Sequence, residues 1–313
     1  MAEMKHLKVQ EWSNVFSGIY SQADSERSPE QIWIAVMAHT SSIGESIRRV
    51  SFMELMDTAA HTFCWLCSFL NKCNVVKDDV FSLEASLNGI VSLKYPGVCG
   101  HCGEAHCTCD PVRMDALPDK AAQYEILFEK RKLVLQSWEN FSLDDCLNVF
   151  NGIYGGRIHI QTLESIGFHF LEETGEAASA IRQLSQLRSI TENKETGIDL
   201  EFLRRLTTVE GIVSAYKEHH GIVNFTERDP RVLRARVVQA KMAMVIEIAD
   251  TFSWFCGILN KVKSISKSIF NEPNPRIPSL EKQLTDVYLD SNQKGHCPTC
   301  KQPVCACAFY NSK

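Results

Sequence analysis

No uninterrupted run of about 18 apolar residues occurs in this chain, so nothing in it asks to cross a membrane as a helix. Strand signals are almost missing, because the long segments space their apolar residues at helical rather than alternating intervals. Charge of one sign is never concentrated. The formal net charge of −5 over 313 residues is mild, and without a basic face nucleic acid is not an expected partner. The opening residues, Met1-Ala2-Glu3-Met4-Lys5-His6, lead into no apolar core of a secretion signal. A cytoplasmic protein without a membrane partner is therefore expected.

Cysteine, by contrast, is plentiful at 13 residues, and eight of them fall into one pattern written twice. Cys99, Cys102, Cys107 and Cys109 read C-x2-C-x4-C-x-C, and Cys297, Cys300, Cys305 and Cys307 read the same. Four thiolates brought together by short turns close a tetrahedral zinc site and leave no position for water, which marks a folding clamp rather than a Lewis acid. Two structural Zn²⁺ ions are expected, with His101, His106 and His296 nearby as alternative ligands. The other cysteines (Cys64, Cys67, Cys73, Cys146, Cys256) lie in apolar helical stretches, where a reduced thiol packs as a small hydrophobe. That usage fits a reducing compartment.

The repeated cluster is one of three anchors of an internal duplication. Asn14-Val15-Phe16-Ser17-Gly18-Ile19-Tyr20 returns as Asn148-Val149-Phe150-Asn151-Gly152-Ile153-Tyr154, and the run from Thr62 to Lys72 returns from Thr251 to Lys261. Ile43-Gly44-Glu45 aligns with Thr174-Gly175-Glu176 between them, after which the second copy holds about 58 extra residues. The expected fold is all-α: two tandem antiparallel helical bundles, a pseudo-dimer, each followed by a small four-cysteine zinc knuckle. Residues 1–110 form the first copy, 111–137 a connecting helix or linker, and 138–313 the second copy with an insert at about 186–243.

In the first copy Ser28-Pro29 with Gln31 opens a helix expected to run through Ser46. A second is expected over Phe52 to Asn71, with Met53, Met56, Ala60, Phe63 and Leu70 on one side. In the second copy the equivalents are Ile160 to Leu187 and Asp229 to Ser264, and the Pro-rich stretch 272–278 is a loop.

The second copy carries Glu172-Glu173-Thr174-Gly175-Glu176 on one central helix and Glu247-Ile248-Ala249-Asp250 on the other. A spacing of three residues puts Glu173 with Glu176, and Glu247 with Asp250, on one helix face. Ile166, Phe170, Ile246, Phe252 and Trp254 surround these pairs, so the face is expected to point inward. Carboxylates converging there cannot all stay ionised without a cation, and all-oxygen ligation favours Mg²⁺ or Mn²⁺ over zinc.

This E-E-x-x-E … E-x-x-D pattern resembles the signature of the MazG-like all-α nucleoside triphosphate pyrophosphohydrolases. Asp250, Trp254 and Asn260 are similar to that family's second metal helix, and Lys94-Tyr95-Pro96-Gly97-Val98-Cys99 to the zinc-knuckle tail of some members. The resemblance covers the central helices and tails, about half of the chain, and not the insert. It implies cleavage of nucleoside triphosphates between the α and β phosphates. It makes Glu173, Glu176, Glu247 and Asp250 the metal ligands, with Glu172 a further ligand or the group that orients the attacking water. It also implies paired bundles, so the pseudo-dimer stands alone or assembles into a homo-oligomer.

Asn260 and Lys261 lie beyond Asp250, His169 one turn before Glu173, and Arg236 three turns before Glu247; each is a candidate for holding the substrate. The first copy has Ser41, Ser42, Thr58 and His61 where the second has Glu172, Glu173, Glu247 and Asp250, so it reads as degenerate. A relocated single-cation site at Glu54, Asp57 and His61 is its only alternative chemistry. The rival to an enzyme is a non-hydrolytic nucleotide-binding or scaffold protein that uses the knuckles and the insert for a partner.

Overall fold

The computed structural model of the protein describes residues 6–109, 120–191, 198–219, 229–270, 278–290 and 292–307. Among them the fold is all-α. The only β-type pairings are two isolated bridges, Lys8 with Ser142 and Leu289 with Gly295. In chain order the helices are α1 (Val9–Ser25), α2 (Pro29–Arg48), α3 (Phe52–Val75), α4 (Leu87–Lys94), α5 (Lys120–Trp138) and α6 (Leu143–Ile160). They continue with α7 (Leu163–Thr191), α8 (Leu200–Arg205), α9 (Val209–His219), α10 (Pro230–Phe270) and α11 (Leu280–Tyr288).

Their starts follow from the sequence. Ser28 Oγ accepts from Gln31 N at 3.3 Å, and Gln31 returns its Oε1 to Ser28 N at 2.9 Å, the reciprocal cap expected for α2. Ser142 and Asp145 close the same box on α6. Ser86 and Ser279 cap the short helices α4 and α11. The helix expected from Ile160 to Leu187 is α7, which begins at Leu163, where Thr162 Oγ1 accepts from Ser165 N at 3.1 Å, and Ile160 ends α6. Of the connecting segment, 111–119 lies outside the described residues and α5 occupies the rest. Residues 192–197, 220–228 and 271–277 also lie outside, with Glu192, Lys194, Glu195, His220, Arg228 and most of the Pro-rich stretch.

The chain divides into two compact units built from interleaved segments. Unit 1 takes 1–72, 140–172 and 253–313; unit 2 takes 73–139 and 173–252. Each therefore draws helices from both copies of the repeat.

In unit 1 the aromatic core is Trp12, Phe16, Phe63 and Tyr288, with Phe16 edge-on to Tyr288 at 5.0 Å and to Phe63 at 6.0 Å. Met56, Ala60, Phe63 and Leu70 of the expected apolar side are buried, whereas Met53 is exposed at the first turn of α3. The second cysteine cluster is seated on α1. Cys305 N donates to Ile19 O at 2.7 Å, and a Cβ on Gly295 would meet Val15 Cγ1 at 3.0 Å, so a larger residue there would have to push that side chain aside.

In unit 2 every residue of α4 is buried. Ile90, Val91 and Leu93 each contribute roughly 1.5–3 kcal/mol of hydrophobic burial. Polar ties hold α4 in place: Asn88 donates to Trp138 O at 2.6 Å, and buried Arg131 of α5 reaches Ser92 Oγ at 3.2 Å and Glu210 of α9 at 2.6 Å. Asn74 exchanges two 3.1 Å bonds with Ala85, fixing the loop ahead of the Ser86 cap. Lys241 of α10 is fully buried and donates to Ser82 O, with desolvation pulling it down to about 7.

Among the described residues one helix, within Pro230–Ser266, is by length and composition apolar enough to span a membrane, with an 18-residue window of mean hydropathy 1.5. That window is 83% buried inside the protein, as a core helix requires. Glu247 and Asp250 interrupt its apolar run, which is why no uninterrupted stretch stands out in the sequence.

Candidate metal and carboxylate sites

The two four-cysteine clusters are copies in geometry as well as in spacing. In each, the four sulfurs lie within 4.8 Å of one another, so each can hold a zinc ion. Cys99 N donates to Glu104 O at 2.8 Å and Gly103 N to Cys99 O at 2.9 Å. In the second cluster Cys297 N donates to Gln302 O at 2.9 Å and Lys301 N to Cys297 O at 2.8 Å. The turn needs a left-handed residue at the same place, filled by Gly103 at φ +71° and by Lys301 at φ +57°. Backbone N–H groups of Ala306 and Gln302 draw the Cys300 thiol down to about 7, towards the thiolate that zinc takes. The sets are all cysteine. His101, His106 and His296 belong to neither.

The carboxylates come together in unit 2. Glu173 of α7 and Glu247 and Asp250 of α10 place ligand oxygens within 4.8 Å of one another. The three-residue spacing turns Glu247 and Asp250 to one side of α10, while Ile248, Ala249 and Phe252 bury the surroundings. Asp250 is only 4% exposed. Burial first, then Asp250, pushes Glu173 up to about 9, with Glu247 and Glu176 adding to the rise and Lys94 opposing it. Burial, then Asp250, raises Glu247 to about 7, with Glu176 adding to the rise and Lys94 and a hydrogen bond with Glu173 opposing it. One more proton or cation is wanted here than the carboxylates alone supply.

Part of that demand is met from an unexpected place. Lys94 Nζ donates to Asp250 Oδ2 and Tyr95 OH donates to Asp250 Oδ1. Both belong to the first copy, at the end of α4, where the sequence shows only the approach to a zinc knuckle. A signal exists: Ser86-Leu87 stands nine residues before Tyr95 as Ser279-Leu280 stands nine before Tyr288. Tyr288 plays the equivalent part in unit 1, sharing a 2.7 Å hydrogen bond with Nδ1 of His61, the counterpart of Asp250. There burial holds His61 below the usual histidine range. Asp57 lies 3.9 Å from His61 and accepts from Gln283, and Glu54 is exposed, so the relocated cation site of the first copy does not assemble.

The remaining expected residues fall differently. Glu176 is exposed and stands outside the three-residue group, though near enough to repel Glu173 and Glu247. Glu172 is exposed and pairs at 3.3 Å with His169, whose ring stacks on Trp254 at 4.5 Å. Arg236 is exposed. Asn260 donates to Leu147 O at 2.9 Å, and Lys261 to Ile158 O and His159 O at 3.0 and 3.1 Å, so both bind the backbone of α6. Asn71 and Lys72 do the same for α1, through Ser13 O at 2.9 Å and through Asp24 O and Ser25 O at 2.9 and 3.1 Å.

Another group, His6, Asp144 and Glu281, gathers in unit 1, where Asp144 also lines a cavity of about 170 Å³ with Met56, Leu147, Leu259 and Val262. No family model, curated protein or solved structure matches this chain.

Proposed function

We propose that the protein is a divalent-cation-dependent hydrolase that cleaves nucleoside triphosphates between the α and β phosphates, giving monophosphate and pyrophosphate. The observation that carries this reading is the group Glu173, Glu247 and Asp250, three carboxylates from two helices in a half-buried site with two of them raised. An all-oxygen donor set of that charge fits Mg²⁺ or Mn²⁺. When bound, such an ion neutralises triphosphate charge and orients water. The substrate class follows from the resemblance of E-E-x-x-E … E-x-x-D to the MazG-like pyrophosphohydrolases.

In this reading Glu173, Glu247 and Asp250 bind the cation. Glu176, exposed beside them, joins on loading, and Glu172 is a further ligand or orients the water. The zinc clusters stay structural and the site is reached from a reducing cytoplasm, consistent with thirteen cysteines that are all free thiols. The alternative, a nucleotide-binding protein without turnover, draws on one observation: Asp250 already has a cationic partner in Lys94.

Pyrophosphate release from a panel of ribo- and deoxyribonucleoside triphosphates, with and without Mg²⁺, tests the proposal. Metal-dependent release, lost in Asp250→Asn and Glu176→Gln, is the expected result. Nucleotide binding without product from the zinc-loaded protein would favour the alternative.

A further inference from the structure

We propose that Lys94 is a tethered cation, lent by the first copy's tail, which occupies Asp250 until a divalent ion displaces it and which then engages the polyphosphate of the substrate. The inference rests on the reading of Glu173, Glu247 and Asp250 as a divalent-cation site.

Lys94 is held from both sides. Its root is the last residue of α4, a helix buried at every position and tied by Asn88 and Arg131. Beyond it Gly97 N donates to Tyr95 O at 2.8 Å with Gly97 at φ +78°, turning the chain sharply into Cys99. Gly100 then comes so close that a Cβ there would meet Lys94 Cγ at 2.9 Å and Lys94 O at 3.0 Å. The zinc turn thus presses on the stem of the lysine whose ammonium meets Asp250. With the root fixed, a displaced ammonium stays within one side-chain length of the carboxylates.

An ordinary structural ion pair would balance its charges. Here one ammonium pairs with Asp250 alone among three converging carboxyl groups, with a fourth at Glu176. A divalent ion satisfies that group better than a lysine can, and releases the lysine. An ion-bound triphosphate brings negative charge of its own, which a lysine matches as a point charge. The lysine also tracks the acid: opposite His61 the residue beside Tyr288 is Val287, and no carboxylate stands at Ser42 or Thr58.

The test is Mn²⁺ binding to the zinc-loaded full chain, followed by electron paramagnetic resonance, then binding of a non-hydrolysable α,β-methylene triphosphate. Lys94→Gln is expected to tighten Mn²⁺ about five- to tenfold and to weaken the analogue at least tenfold. Lys94→Arg, a better clamp on a carboxylate, is expected to weaken Mn²⁺ and retain analogue binding. If Lys94→Gln fails to fold, Lys94→Arg decides alone. Unchanged Mn²⁺ affinity in the variants, with the wild type binding the ion, would overturn the tethered-cation role and leave the carboxylate reading intact. No Mn²⁺ binding in the wild type or either folded variant would overturn both.

Discussion

Asp250 and His61 occupy the same position in the two copies, and each receives a tyrosine hydroxyl from the tail of the other copy. Around them the frame is the same. Asn71-Lys72 binds the carbonyls of α1 as Asn260-Lys261 binds those of α6, and serine-capped short helices deliver both tyrosines. Within that frame the polar centre differs. Where Asp250 sits with Glu173, Glu247 and Lys94, His61 sits with Tyr288 and stacks on His39 at 5.5 Å. The two copies share this packing while only one centre gathers carboxylates, so fold and chemistry are separable in this protein. The reciprocal tails are part of that interleaving: unit 1 holds the second copy's tail with α1–α3, and unit 2 holds the first copy's tail with residues 173–252.

The largest effect should come from breaking a knuckle. Cys102→Ser and Cys300→Ser should each lose one of two bound zinc ions. With structural zinc carrying on the order of 10 kcal/mol of apparent binding free energy, the loss should unfold the tail concerned. Metal analysis and thermal unfolding check this. The comparison sharpens in Mn²⁺ binding: Cys102→Ser frees the segment that carries Lys94 and Tyr95, and so should alter the ion affinity far more than Cys300→Ser.

Next in size is the centre itself. Asp250→Asn should lower pyrophosphate release by roughly a hundredfold or more, because the proposed ion would lose a ligand. His61→Asn should leave turnover within about twofold and cost about 1 kcal/mol in stability for the altered Tyr288 bond. Equal losses of turnover in the two variants would end the idea that one copy is catalytic and the other a frame.

The central helices, the Ser28 cap, the two four-cysteine clusters and three of the four carboxylates expected to converge are legible in the sequence, since spacing and capping chemistry are local. Lys94 and Tyr95 are not, because their partner lies in the other copy and no local pattern shows which tail meets which helix. Asn260 and Lys261 teach the converse. They look like substrate groups by distance along the helix, yet the same pair stands in a copy without acids. A residue shared with a copy that has no site serves the frame. Glu176 shares Glu173's helix and spacing but lies at its exposed edge, a difference that depends on what packs against α7.

A smaller effect concerns pH. In the protein without divalent ions, Glu173 is raised to about 9 and Glu247 to about 7, facing Asp250, Glu176 and Lys94. An unfolded chain ionises these groups near their ordinary 4.5, so between there and about pH 9 the folded state binds more protons. Stability contributed by these groups is therefore full below pH 4.5 and is lost as pH rises through that window. Glu173→Gln removes the titrating group. In Mg²⁺-free buffer it should raise Tm by roughly 2–6 °C at pH 9 and by little at pH 5. A gain of the same size at both pH values would mean that packing, not charge, is responsible.

The smallest effect isolates the backbone of the knuckles. Gly103 and Lys301 hold the same left-handed turn, at φ +71° and +57°, and donate to the first cysteine's carbonyl in the same way. Glycine adopts that conformation freely, whereas a residue with a Cβ is held there at a cost of about 1 kcal/mol. Lys301→Gly should therefore stabilise the second knuckle by up to about 1 kcal/mol, and Gly103→Ala should destabilise the first by a similar amount. Competition for zinc by a chromophoric chelator reads each knuckle separately. Slower zinc loss in Lys301→Gly together with faster loss in Gly103→Ala would show that the two turns obey one rule. Faster loss in Lys301→Gly would mean that the lysine side chain contributes more to the second knuckle than its backbone strain costs.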